Sequence, residues 1–355
     1  MSKRTTLAAA GCVVLIAAGS VACGPAEKLE AGAKVQRAFD KLMKQKSVAT
    51  EVGFEADADK IFAALKGEDD FQRQDAETLA GMKLTYAVGA GKPLGDLKEG
   101  DKAGTGGFRL AKGGKTLVDV RYVDEKYYFQ GDLKALSELP AASKSSKGRE
   151  ERGKFDEMLR KADELPPSLA AVKGALKGEW VRVDAATLEE FAKSAGGKGD
   201  QSGQLDARSQ KQLLDAFRNA LADNAEFKDA GGKDGADHVT VTVPARKAAA
   251  ELAEGLKPLE KKLGEDGKLS DLKDVPDKNI SFDVAIKDGS LSSLTFDVAQ
   301  LDKKAKGELP LKVAFQGGAQ QVHAPSGAKE LKPQDLFGAG MFLAMNGRGD
   351  LGKDV

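Results

Sequence analysis

Cysteine is almost missing from this chain: there are two in 355 residues, Cys12 and Cys23, both within the first 23 positions. Everything after Cys23 therefore lacks disulfides and thiol chemistry, which leaves the compartment open because exported proteins can also be cysteine-free. Histidine is as scarce, with His238 and His323 the only two, and this argues against a histidine-based metal site or a catalytic triad. Neither sign of charge is in excess. Fifty-five basic residues balance fifty-five acidic ones, so no basic field points to nucleic acid and no acidic field to cationic ligands. There is also no Gly-x-Ser-x-Gly elbow, so the usual signature of a serine nucleophile is absent.

What the chain does have begins at its first residues. Lys3 and Arg4 form a basic start, Leu7–Ala18 is apolar, and small residues lead to Ala22-Cys23. The apolar run is shorter than the ~20 residues of a membrane span and matches an export signal. Ser20-Val21-Ala22-Cys23 resembles a bacterial lipobox, with Ser20 departing from the usual leucine. The cysteine of such a box becomes linked to diacylglycerol and opens the mature chain. That reading makes residues 1–22 a signal peptide and residues 23–28 a lipidated start and tether. Residues 29–325 form the folded domain and residues 326–355 a tail. Two acyl chains on Cys23 would hold the protein firmly at a membrane surface.

The folded part is organised around Asn279–Gln316. Ile280, Phe282, Val284 and Ile286 alternate with polar or small residues, which is the period of a strand with one buried face. Asp288-Gly289 is a hairpin turn pair, and a second strand carries Leu294, Phe296 and Val298 on one side. A third strand reads Leu309, Leu311, Val313 and Phe315. Earlier, Ala26–Lys46 has helical spacing, and Val48–Ala56, with Val52 and Phe54, reads as a strand. A second meander is expected over Gly107–Gln130, turning at Gly113-Gly114 and Asp124-Glu125, with Val118 and Val120 on its middle strand. Further strands are expected at Lys83–Val88, Trp180–Val183 and Val239–Val243. Helices are expected at Asp57–Leu65, Asp132–Leu139, Arg149–Lys161, Leu213–Leu221 and from Pro244 to Leu256, with flexible stretches at Ala142–Gly148 and Gly196–Gly203. Hairpin-linked strands with helices between the groups indicate an antiparallel α+β fold.

No set of residues assembles a catalytic or cofactor site. Gly114-Lys115-Thr116 imitates the end of a phosphate loop, but Arg109 stands where a glycine is needed and a strand follows instead of a helix. The acidic run Glu51, Glu55, Asp57, Asp59 lacks the central glycine and closing glutamate of a calcium loop. Arg348-Gly349-Asp350 is an adhesion-like triplet too short to mean anything alone. Trp180 and Tyr127-Tyr128 read as core or rim residues, and no cofactor, metal or enzyme activity is expected.

The order of elements resembles a known family. The carriers of the likeness are the lipobox-like start and helix, then the meander Thr116–Gln130 with its Val-Asp-Glu-Lys-Tyr-Tyr core. Gly178–Asp184, Asp283–Asp297 around its Asp-Gly turn, Leu311–Phe315 and Val322–Pro325 follow. This order is similar to that of the actinobacterial LprG/LppX-type lipoproteins and, more distantly, of the LolA/LolB carriers. The resemblance implies a large curved antiparallel sheet, a half-barrel with helices on its concave side, and an apolar cavity between them for acyl chains of lipid or lipoglycan. It implies an envelope lipoprotein held by diacylglyceryl-Cys23 to the outer face of the cell membrane, with an envelope protein as a further expected partner. The strand faces then supply the expected cavity lining: Val52, Phe54, Val118, Val120, Phe282, Val284, Ile286, Phe296, Val298, Val313 and Phe315. A buried methylene gains ~0.8 kcal/mol, so such a site needs no polar motif. The alternative reading is a surface lipoprotein with a packed core that acts through protein contacts, as a sensor or assembly factor. On the carrier reading, Val284→Trp would block lipid and leave the fold intact.

Overall fold

The computed structural model describes residues 26–67, 71–97, 104–139, 152–153, 156–157, 159–194, 224–257, 275–301, 305, 307–318 and 322–347. Cys23 and the leader, the two stretches expected to be flexible, the expected helix at Leu213–Leu221 and the Arg348–Asp350 triplet lie outside the described residues. The fold is α+β, and its contacts divide the chain into two units. The first is Met1–Phe71, Gly91–Lys102 and Gln204–Ala319; the second is Gln72–Ala90, Ala103–Gly203 and Gln320–Val355.

In the first unit six strands pair antiparallel throughout, in the order β1 (Ser47–Phe54), β11 (Pro310–Gly317), β10 (Ser290–Asp297), β9 (Asn279–Lys287), β8 (Ala236–Pro244), β7 (Glu226–Lys233). The expected meander is therefore β9-β10-β11, and β1 closes onto its far side. Helix α1 (Ala26–Met43) lies on the apolar face of this sheet because Ala31, Val35, Ala38, Phe39 and Leu42 recur along one side of it. That stripe packs on Val48, Val239, Val241, Val284, Ile286, Leu291, Leu294, Val313 and Phe315. Close approach is built in at Gly32, where a Cβ would meet the Phe227 ring at 3.2 Å. Helix α2 (Ala58–Leu65) is started by Asp57, whose side chain accepts the Lys60 N–H at 2.8 Å.

In the second unit the order is β12 (Lys329–Glu330), β6 (Val181–Asp184), β5 (Lys126–Gly131), β4 (Lys115–Val123), β3 (Thr105–Lys112), β2 (Met82–Gly89). All neighbours are antiparallel except β12 and β6. Helix α3 (Arg73–Gly81), not among the helices expected above, precedes β2. Helix α4 (Leu133–Ser137) is capped by Asp132, α5 (Ala170–Leu176) follows the Pro166-Pro167 break, and α6 (Ala185–Ser194) follows β6. In the first unit, α7 (Ala245–Leu256) begins directly after Pro244. The tail carries a helix that its glycines obscure, α8 (Pro333–Gly347), whose Ala339 and Phe342 pack with Leu165, Leu169 and Val172.

The turns explain why these strands pair as they do. Gly113-Gly114, Asp124-Glu125, Asp234-Gly235 and Asp288-Gly289 all have both central residues at positive φ. This is the tight hairpin turn whose twist matches that of the flanking strands. Bulges interrupt the registers at Leu117 on β4 and Ser292 on β10, and each bends its strand locally. Strand β10 ends at Asp297, short of the expected Val298, because the Asp297 carboxylate accepts the Ala299 and Leu309 N–H groups at 3.1 and 2.7 Å and turns the chain there.

Candidate functional site

Partners in an antiparallel ladder point their side chains to the same side, so the registers define each face. In the first unit, Val52, Val313, Leu294, Val284 and Val239 form one row across the sheet. Next to it run Phe54, Leu311, Phe296, Phe282 and Val241. The first of these rows lies in the cluster under α1, where Val284 and Val239 are 0 % exposed. The second is partly exposed from Phe54 to Phe282. Of the expected lining residues, Val284, Ile286, Val313 and Phe315 are therefore in close contact with helix side chains. Val52 and Phe282 pack at the edge of that cluster, and Phe54 and Phe296 lie in the partly exposed row beside it. Val298 sits in the turn after β10 and not on a strand face.

The second unit places Val118 and Val120 in different company. Leu84, Leu110 and Val118 form one row; Tyr86, Phe108, Val120, Phe129 and Val181 a second; Val88, Gly106, Tyr122, Tyr127 and Val183 a third. All three point to one side of the sheet, which is apolar and rich in rings. Tyr122 and Tyr127 lie 5.1 Å apart between centroids, and Tyr127 stacks on Phe129 at 6.1 Å. Toward β6 the face is closed, with Val181 and Val183 buried. Toward β2 it opens: Tyr86 is 49 % and Phe108 39 % exposed, and the residues between are half-buried. Partial withdrawal from water raises the Tyr86 phenol pKa above its ordinary value. Sequence reasoning found these strands and two of their residues. It missed Leu84, Tyr86, Phe108, Leu110, Tyr122, Tyr127 and Phe129 as a surface.

The opposite side of the same strands is polar. Asp119, 4 % exposed, accepts Arg109 Nε and Nη2 at 3.1 and 3.0 Å and Arg121 Nε and Nη2 at 3.1 and 3.0 Å. Arg121 also donates to the His323 carbonyl at 3.1 Å and lies 4.6 Å from the Trp180 ring centroid. Val322 fills the space that a side chain at Gly107 would take. This arrangement ties the segment after residue 321 to the sheet and gives Trp180 a structural role. A groove of about 450 Å³ beside α4 is lined by Gln130, Asp132, Leu133, Leu159 and Leu176 among others, and Lys115 pairs with Asp132 at its rim at 2.6 Å. The Lys115 hydrogen bond, before that of Ala135 N–H, holds the Asp132 pKa below its ordinary value. His238 Nδ1 meets Asp283 Oδ2 at 2.7 Å, but no nucleophile joins them among the polar contacts of the described residues. No three potential ligands gather around a metal position among the described residues. Among those residues, no helix is long and apolar enough to cross a membrane.

No family model matches the chain, and no curated protein matches it in sequence. Solved structures do. The lipoprotein LppX of Mycobacterium tuberculosis aligns over 82 % of this chain and 97 % of its own, at 12 % identity and a TM-score of 0.30. LprF of Mycobacterium bovis aligns over 84 % and 98 %, at 13 % identity and a TM-score of 0.33. At such identities and scores the likeness assigns no function, which has to rest on the chain's own residues.

Proposed function

We propose that this chain is an envelope lipoprotein, anchored by diacylglyceryl-Cys23 to the outer face of the cell membrane, that binds acyl chains of a lipid or lipoglycan and performs no catalysis. The observation that carries the binding reading is the open apolar face of β2–β5. Tyr86, Phe108, Val120 and Phe129 line up in register there, and Tyr86 and Phe108 are substantially exposed. A soluble domain gains by burying such rings, and an acyl chain laid across four strands would bury them without any polar group to fix its identity. The partly exposed row of Phe54, Leu311, Phe296 and Phe282 is a second apolar surface of the same kind.

The close packing under α1 favours a second reading for the first unit, namely a solid body that supports protein contacts. The two readings separate in native mass spectrometry of the chain from Gly24 onward, which keeps every described residue. The carrier reading expects co-purifying lipid that is lost on Tyr86→Asp with Phe108→Asp, whereas a protein that works by contacts alone carries no lipid in either form. The anchor is tested apart from this. Membrane-extracted protein is expected to begin at Cys23 with the added mass of a diacylglyceryl group, and an unmodified cysteine would contradict it.

A further inference from the structure

Helix α8 has one charged residue, Asp335, in the fifteen positions from Pro333 to Gly347. A helix that is apolar all round is ordinarily buried all round. Among the described side chains of α8, one side is packed: Gly338 lies over Leu169, and Ala339 and Phe342 belong to the cluster with Leu165, Leu169 and Val172. On another side Phe337 is 70 % exposed, Met341, one turn later, 51 %, and Leu336 45 %. Among the described residues of the second unit these are the most exposed large apolar ones apart from Tyr86, and they are contiguous along the helix.

We infer that the Leu336–Phe337–Met341 face of α8 is a membrane-contact surface that inserts its side chains into the headgroup–acyl boundary of a bilayer. Three observations select a bilayer over a protein as occupant. The exposed stripe is wholly apolar, a leucine, a phenylalanine and a methionine, with no polar side chain to pair across a protein interface. The one acidic group is followed by a charge-free run from Leu336 to Gly347, and Lys332 stands just before the helix, where it can meet lipid phosphates. The lipobox-like sequence at Cys23 would also keep the chain within reach of a bilayer, which makes even a weak insertion effective. This last argument rests on the proposed anchoring; the others do not.

The test uses the chain from Gly24 onward, without leader or lipid, sedimented with phosphatidylcholine vesicles and with vesicles containing phosphatidylglycerol. Phe337→Asp with Met341→Asp should weaken association about tenfold or more, since binding scales with the apolar area inserted. Phe337→Leu should keep it. The thermal midpoint should not move, because both positions are exposed. The Tyr86→Asp, Phe108→Asp protein, which lacks the proposed acyl surface, should still bind vesicles, so failure of either proposal is visible without the other. Three results would overturn the inference: no association of the unsubstituted chain with either vesicle, equal association of the double variant, or a lower thermal midpoint in that variant, which would mean the chain itself covers the face. A concentration-dependent dimer abolished by the double substitution would also overturn it in favour of self-association.

Discussion

Asp119→Ala is expected to destabilise the protein by about 2–4 kcal/mol, one of the largest effects of any single exchange in the second unit. The carboxylate is nearly fully buried and accepts four hydrogen bonds from two guanidinium groups on adjacent strands. Its removal leaves two positive charges facing each other with no counter-charge. The Arg109 side chain, half exposed, can turn to water, which keeps the loss below that of a fully enclosed pair. Arg121 is more enclosed and has Trp180 on one side. Trp180 is the only tryptophan, so its emission should shift in the variant well before the unfolding transition. Asp119→Asn keeps the shape without the charge and should lose less. A urea midpoint for the alanine variant that matches the unsubstituted protein would show that the triad contributes little.

Val284→Trp should lower the thermal midpoint, with a loss of about 1–3 kcal/mol from overpacking. Reasoning from sequence expected the opposite outcome, an indole accepted into a hollow interior. The structure places Val284 between Val239 and Leu294 in one cross-strand row beneath α1, with no exposed surface. An indole fits there only if α1 moves. An unchanged midpoint would reveal room under α1 and shift the proposed acyl site to the first unit.

These two residues also show what a sequence can and cannot reveal. The strand that holds Val284 was legible because four apolar residues alternate with polar or small ones and an Asp-Gly pair follows. What lies over the strand was not, because alternation reports a buried face and is silent on whether helix, sheet or lipid buries it. The Arg109–Asp119 pair was hidden for a different reason. Counting back from the Gly113-Gly114 turn puts Arg109 opposite Val118, and only the bulge at Leu117 moves Asp119 into its place. Strand β7 escaped notice since, apart from Phe227, its residues are exposed on both sides and show no alternation. Helix α8 was masked by its glycines, and α3 by its weak apolar stripe, although Gln72 and Asp75 cap it reciprocally. The open face of β2–β5 could have been anticipated. Leu84, Tyr86 and Val88 alternate with Lys83, Thr85 and Ala87, and pairing Phe108 through Val120 to Phe129 needs only the turns already recognised and one bulge; the register of β2 on β3 is the one step with no tight turn to set it.

The claim that acyl chains lie on this face can be read out directly. A fatty acid bearing a diazirine near the end of its chain, incubated with the protein from Gly24 onward and irradiated, marks the residues it touches. Peptide mapping is expected to find the label on the segments holding Tyr86, Phe108, Tyr122 and Phe129, and excess unlabelled fatty acid should remove it. Label confined to the segments of Val239, Val284 and Leu294, or label that no competitor displaces, would contradict the account.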